Sequence, residues 1–215
     1  MFKIFAHRGY LIQNNLPNIL QENSLASLKN AVANNFSAIE FDIWFVNNQL
    51  VLSHNYPSNK QKNNLFNDFL LYKNQLEYWL DFKNIDLQNV DKILNLVKKD
   101  LAQAQIDLTK VYFVPYVVDY DLAQKIFERF KVFFGKEVMF GAVCDQIKQI
   151  NDLKNFVEKN NLKLISIDHK LISDEVIRNF KNCQLMAWTV NNQDQMKALI
   201  AKGIKIFASD TVKPF

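Results

Sequence analysis

Glycine and proline are scarce in this chain, with four of each among 215 residues. That excludes collagen-like, elastic and mucin-like architectures, which need one or both in bulk. Cysteine is scarcer still. Cys144 and Cys183 cannot build a disulfide framework or a four-thiolate metal site, although one bridge between them is arithmetically open. No uninterrupted apolar run approaches the ~20 residues that cross a bilayer, and the longest, around Val111 to Val118, suits a buried strand. The opening MFKIFAHRG lacks the long apolar segment and small-residue cleavage site of a secretory signal. Glycine-rich phosphate loops, His-Glu-x-x-His helices and Gly-x-Ser-x-Gly elbows are missing too, which removes several enzyme classes. These absences lead us to expect a soluble protein of the reducing cytoplasm with no stable membrane insertion.

Apolar side chain, by contrast, is plentiful: 49% of residues are hydrophobic, 18 of them Phe. Burying that much offsets the ordering entropy of folding and excludes a disordered chain. The 26 Lys and Arg against 22 Asp and Glu leave a net charge of +4. Lysines such as Lys60, Lys62, Lys98 and Lys99 are scattered, as on a solvated surface, so no nucleic-acid partner is expected. No linker or composition break appears, and residues 1–215 read as a single domain.

Eight strand-length apolar segments recur: Lys3 to Ala6, Ala38 to Ile43, Tyr78 to Phe82, Val111 to Val117, Val138 to Val143, Lys163 to Ile167, Gln184 to Thr189 and Ile204 to Ala208. Helical patterns lie between them over Ser24 to Asn34, Val90 to Gln103, Asp121 to Phe133, Gln146 to Asn160, Asp174 to Phe180 and Gln193 to Lys202. Ser24 fits a helix cap, as do Asn191 and Asn192 for the last helix. Phe127, Phe130, Phe133 and Phe134 have partly helical spacing and suit core packing. Asn55 to Glu77 is irregular, with a short helix expected over Leu65 to Tyr72. The alternation predicts an α/β fold, a compact (β/α)₈ TIM barrel with a short hairpin and loop insertion after the second strand. A doubly wound open sheet is the alternative.

Polar groups collect where the strand candidates end, which is the active face of such a barrel. His7-Arg8-Gly9 follows the first strand and combines a proton exchanger, a two-point phosphate grip and a permissive backbone. Glu40 and Asp42 lie two apart late in the second strand, so both carboxylates face one side while Phe41 faces the other. Two carboxylates among Ile, Phe and Trp need compensation, either from a hard cation such as Mg²⁺ or Ca²⁺ or from buried ion pairs with Arg or Lys. A turn at Asn47-Asn48 returns the chain to His54, and Asp81 and Lys83 close the third strand. Two histidines, two cations and three carboxylates on one rim suit phosphodiester cleavage. His169, Asp119 and Asp121 also fall near strand ends, where a surface loop and a helix start are the simpler readings.

In order along the chain, His7-Arg8-Gly9, Glu22-Asn23-Ser24, Glu40-x-Asp42, His54, Trp188-Thr189-Val190-Asn191 and Ala208-Ser209-Asp210 resemble the glycerophosphodiester phosphodiesterase family. The resemblance implies a TIM-barrel hydrolase that uses a divalent cation, Mg²⁺ or Ca²⁺, to split a small-molecule glycerophosphodiester into glycerol 3-phosphate and an alcohol. It implies His7 and His54 as the acid and base pair, and Glu40, Asp42 and Asp81 as metal ligands. Arg8 and Lys83 would hold the phosphate, and Trp188 would wall the pocket near the glycerol. The sequence departs from the family at Asn55 and Asp81, where the family usually carries Asp and Glu, and in a short segment between His54 and Asp81. Those departures leave two alternatives open: a non-catalytic phosphate-ligand binding barrel, and a lipid phosphodiesterase related to sphingomyelinase D.

Overall fold

A computed structural model describes residues 2–12, 20–57, 64–72, 75–136 and 138–215. Lys60, Lys62 and most of the Asn- and Lys-rich loop after His54 lie outside the described residues. All eight expected strands form. In chain order the elements are β1 (Lys3–Ala6), α1 (Leu25–Ala33), β2 (Ala38–Val46), β3 (Gln49–Leu52) and β4 (Asn64–Leu65). A 3₁₀ segment (Phe66–Tyr72) leads to β5 (Glu77–Phe82), α2 (Val90–Gln103), β6 (Val111–Pro115), α3 (Tyr120–Phe134) and β7 (Gly141–Cys144). Then come α4 (Ile150–Asn160), β8 (Leu164–Asp168), α5 (Asp174–Asn179), β9 (Gln184–Trp188), α6 (Gln193–Ala201) and β10 (Ile206–Ser209).

The result is an α/β fold built on a curled sheet. Strands β7, β8, β9, β10, β1, β2, β5 and β6 follow one another as parallel neighbours. The first and last strands of the chain are thus adjacent, and no switch point of a doubly wound sheet occurs along this order. Between β6 and β7 the described contact is one parallel bridge, Phe113 to Phe140, with Phe113 N donating to the Met139 carbonyl oxygen at 2.8 Å.

Local chemistry explains the boundaries. Strand β2 runs three residues past the expected Ile43 because its end pairs antiparallel with β3, from Ile43 opposite Leu52 to Val46 opposite Gln49. Asn47 and Asn48 make the turn with φ of 51° and 59°, a left-handed pair that asparagine tolerates. Ser24 caps α1, its Oγ accepting from Ser27 N at 3.1 Å while Ser27 Oγ accepts from Ser24 N at 3.2 Å. Asn192 caps α6 through Asp194 N and Gln195 N. Asp119 caps α3 in the same manner, which is the simpler of its two readings. Both cysteines are free thiols, so the arithmetically open bridge does not form, and burial pushes Cys144 up to about 11.

Side chains on the strands alternate between two cores. Phe5, Ala38, Trp79, Tyr112, Val114 and Met186 belong to the set that fills the inner, concave face. The outer core lies between strands and helices, where Phe41 meets Phe69 edge-on at 5.0 Å, as expected for the residue between Glu40 and Asp42. At the amino ends of the strands, Tyr112 Oη donates to Glu77 Oε2 at 2.7 Å, and Lys3 pairs with the same carboxylate.

Phe130 on α3 is fully buried and reaches Phe82, Phe113 and Phe140, so it underlies the bridge between β6 and β7. Phe130→Ala is expected to lower stability by about 3–5 kcal/mol in urea unfolding. A loss below about 1 kcal/mol would show that this seam does not depend on it.

Candidate active site

The inward face set by Phe5, Ala38, Trp79 and Tyr112 continues, two residues at a time, to His7, Glu40, Asp42, Asp81, Lys83 and Tyr116 at the carboxyl ends of the strands. Strand register brings the acids together, because Asp42 stands opposite Asp81 and Glu40 opposite Trp79. Oxygens of Glu40, Asp42 and Asp81 lie within 4.8 Å of one another. Glu40 and Asp42 are buried, at 2% and 1% exposure.

Two fixed cations are threaded through these acids. Lys83 Nζ sits 2.7 Å from Asp42 Oδ1 and 2.7 Å from Asp81 Oδ2. Arg8 Nε lies 2.8 Å from Asp42 Oδ2, and Arg8 Nη1 donates to Glu22 Oε2 at 3.0 Å. Buried ion pairs, the alternative to a cation for the Glu40 and Asp42 pair, are therefore present at Asp42. Asn23 completes that residue, donating from Nδ2 to Oδ2 at 3.0 Å and accepting from the Asp42 backbone N at 3.2 Å. Among the described residues no Lys or Arg side chain pairs with Glu40; its Oε2 accepts from the Arg8 backbone N at 2.9 Å and lies 3.9 Å from His7 Nε2.

The loop geometry makes these contacts possible. Arg8 has φ 54° and Gly9 φ 85°, a left-handed turn that presents the Arg8 N–H to Glu40. A Cβ on Gly9 would fall 2.2 Å from Ser27 Oγ, so only glycine lets α1 approach this closely. His7 is held from behind: Asp210 Oδ1 meets its Nδ1 at 2.7 Å. Asp210 is itself fixed by Asn191, whose Nδ2 donates at 2.7 Å and whose Oδ1 accepts from the Asp210 backbone N at 2.8 Å. With Nδ1 engaged, Nε2 is the nitrogen left to face the acids.

Titration follows this charge arrangement. Burial, reinforced by the charge of Asp42, pushes the Glu40 carboxyl up to about 8. Burial also raises Asp81, against the pull of Lys83. At Asp42 burial acts upward but Lys83 and Arg8 outweigh it, and the carboxyl stays low. Burial would depress His7, yet Glu40 and Asp210 outweigh it and the imidazole is raised. His54 moves the other way, lowered by burial and then by Arg8.

The structure brings His7, Arg8, Glu40, Asp81, Lys83 and Trp188 to one pocket of about 120 Å³, which Trp79, Tyr116 and Ser166 also line. Asp42 does not line it and is tied to two residues that do, Arg8 and Lys83. His54 does not line that pocket. Its side chain is 43% exposed at the rim, with Nδ1 3.8 Å from Glu22 Oε1, and Glu22 connects it to Arg8. His169 does not line the pocket either, and its Nδ1 lies 3.1 Å from the Trp188 carbonyl oxygen. Two larger grooves, of about 560 and 830 Å³, run along α3 and α4 and contain none of these residues.

Solved structures share this architecture. A glycerophosphodiester phosphodiesterase from Parabacteroides distasonis superposes with a TM-score of 0.76 at 16% identity, over 97% of this chain and 92% of that one. An Oleispira antarctica phosphodiesterase, solved with its product sn-glycerol-3-phosphate, gives 0.77 at 14% identity, over 97% and 92%. This chain has the glycerophosphodiester phosphodiesterase fold. A calcium-dependent phosphoinositol-specific phospholipase C from a Pseudomonas species lies further off, at TM-score 0.64 and 13% identity over 96% and 87%. No family model and no curated protein sequence matches the chain.

On this phosphodiesterase fold, several residues gain a place that sequence reasoning left without a role. Glu22, Asn23, Asn191 and Asp210 stood in the quoted motifs, but only three dimensions show that they hold Arg8, Asp42 and His7. Trp79 was legible from alternation alone, two residues before Asp81 on the same face.

The acid cluster fits a hard divalent cation. Asp81 Oδ1 is a buried oxygen without a hydrogen-bond donor among the described residues, Asp42 Oδ1 faces Lys83 Nζ at 2.7 Å, and three carboxylates supply an all-oxygen set. Glu40→Gln removes one of the three like charges. At pH 9, where Glu40 is ionised in the cation-free protein, this variant should melt at a higher temperature than the parent without added metal. The parent should gain about 2.7 kcal/mol at a cation concentration 100 times the dissociation constant, and the variant much less. A variant stabilised by Mg²⁺ or Ca²⁺ as strongly as the parent would remove Glu40 from the cation site.

Proposed function

We propose that this protein is a metal-dependent glycerophosphodiester phosphodiesterase, releasing glycerol 3-phosphate and an alcohol. The observation that carries the reading is the meeting of Glu40, Asp42 and Asp81 within 4.8 Å, beside His7 and Lys83, at the mouth of this fold. The single bridge between β6 and β7 and the adjacency of β1 and β10 favour a closed (β/α)₈ barrel around that mouth, in one domain.

Glu40, Asp42 and Asp81 would hold the cation, which when bound supplies positive charge to polarise the phosphoryl oxygens. Lys83 and Arg8 bind and orient the phosphate, each already held beside the acid cluster by its own ion pair, Lys83 with Asp81 and Arg8 with Asp42. His7 holds or moves a proton at Nε2, because Asp210 occupies Nδ1 and fixes the ring plane. His54 serves the opposite, solvent side, where an attacking or leaving oxygen meets water. The pocket, well below the ~300–1,000 Å³ of drug-sized sites, suits a three-carbon glycerol end walled by Trp188, and the alcohol group extends outward. No helix among the described residues is long and apolar enough to cross a membrane, and small water-borne substrates in the cytoplasm agree with that.

Purified protein with Mg²⁺ or Ca²⁺ should release glycerol 3-phosphate from a panel of glycerophosphodiesters, and chelation should abolish release. His7→Ala should cost roughly 10²–10⁴-fold in kcat, with binding of glycerol 3-phosphate retained. Wild-type protein that binds these diesters tightly yet never consumes them under any of Mg²⁺, Ca²⁺ or Mn²⁺ would show a binding protein instead.

A further inference from the structure

The chain has three tryptophans, and they differ in one respect. Trp44 Nε1 donates to the Ser53 carbonyl oxygen at 2.9 Å. Trp79 Nε1 and Trp188 Nε1 are buried and have no acceptor among the described residues. Both rings line the same small pocket, one on β5 and one at the end of β9. Trp79 is 2% exposed and precedes Asp81 by two residues, so it forms the layer just beneath the acid cluster. Its ring is braced edge-on by Phe5 at 5.7 Å. Ser166, also buried, adds a hydroxyl to the lining.

Buried N–H groups without an acceptor are rare in folded proteins because each forfeits its bond to water. Two of them on rings that line one concavity call for an acceptor that enters with a ligand. The phosphate is matched to the cations and the acid cluster above, so the acceptors belong to the group held below it. An alkyl chain offers none, whereas a polyol offers hydroxyl oxygens that can accept from indole and donate to Ser166.

We propose that the indole N–H groups of Trp79 and Trp188 read hydroxyl oxygens on the glycerol end of the substrate. Trp79 is then a specificity-determining residue that selects a small polyol phosphate over a deoxy or alkyl one. This rests on the glycerophosphodiester reading of the same mouth and adds how its glycerol end is recognised.

The three indole N–H signals of ¹⁵N-labelled protein provide the test, with Trp44 as internal reference. Assignment comes from Trp79→Phe and Trp188→Phe. With Mg²⁺ present, saturating sn-glycerol 3-phosphate should move the Trp79 and Trp188 signals and leave that of Trp44, while propyl phosphate should leave all three near their free positions. By calorimetry the parent should prefer glycerol 3-phosphate over propyl phosphate by roughly tenfold or more. Trp79→Phe should erase most of that preference by weakening glycerol 3-phosphate alone. A Trp79 signal that stays still, or moves equally with propyl phosphate, overturns the proposal, as does a preference unchanged in the variant or the binding of neither ligand. Should Trp79→Phe not fold, the ligand comparison on the parent protein decides, with Trp188→Phe giving the assignment. Hydrolysis separates the two readings. Discrimination by the indoles without any turnover sinks the hydrolase and spares this proposal, and turnover without discrimination does the reverse.

Discussion

Two buried carboxylates and a half-buried third on neighbouring strands cannot all be charged without help, and the mouth of this fold is arranged around that constraint. Asp42 and Asp81 share Lys83, Asp42 also draws on Arg8 and Asn23, and Glu40 is left with a backbone N–H and a nearby imidazole. The shortfall is visible in the upward displacement of Glu40. A dication would restore balance and release part of the hold that Lys83 and Arg8 have on the acids, which is what phosphate recognition needs from them.

Much of this is legible in the sequence alone. Two-residue spacing placed Glu40 with Asp42, and Asp81 with Lys83, on one face, because strand side chains alternate whatever their neighbours are. Capping chemistry marked Ser24 and the Asn191-Asn192 pair, of which Asn192 is the cap, and the helical pattern over Val90 to Gln103 coincides with α2. Other features were hidden for physical reasons. The extension of β2 to Val46 depends on pairing with β3, and the grip of Asp210 on His7 joins residues at opposite ends of the chain. Local propensity contains neither. The rim position of His54 was also out of reach, since a hairpin predicts return toward the acids but not the depth at which a side chain stops.

The two single-residue departures from the family pattern look different in three dimensions. Asp81 is one methylene shorter than Glu, yet it stays within the acid cluster, because register sets it directly opposite Asp42. Asn55 is exposed beside His54, on the solvent side of the mouth, away from the pocket floor. Positioning of the His7 imidazole is supplied by Asp210 and Asn191, so the inner half of the site does not rely on the residue after His54.

The most direct test is a crystal structure grown with Mn²⁺ and glycerol 3-phosphate, with anomalous scattering locating the ion. One ion coordinated by oxygens of Glu40, Asp42 and Asp81, with a phosphate oxygen on it and His7 Nε2 within hydrogen-bond reach of the phosphate, is the predicted result. An ion bound elsewhere, or Lys83 still clamped between Asp42 and Asp81 with no ion beside it, would contradict it.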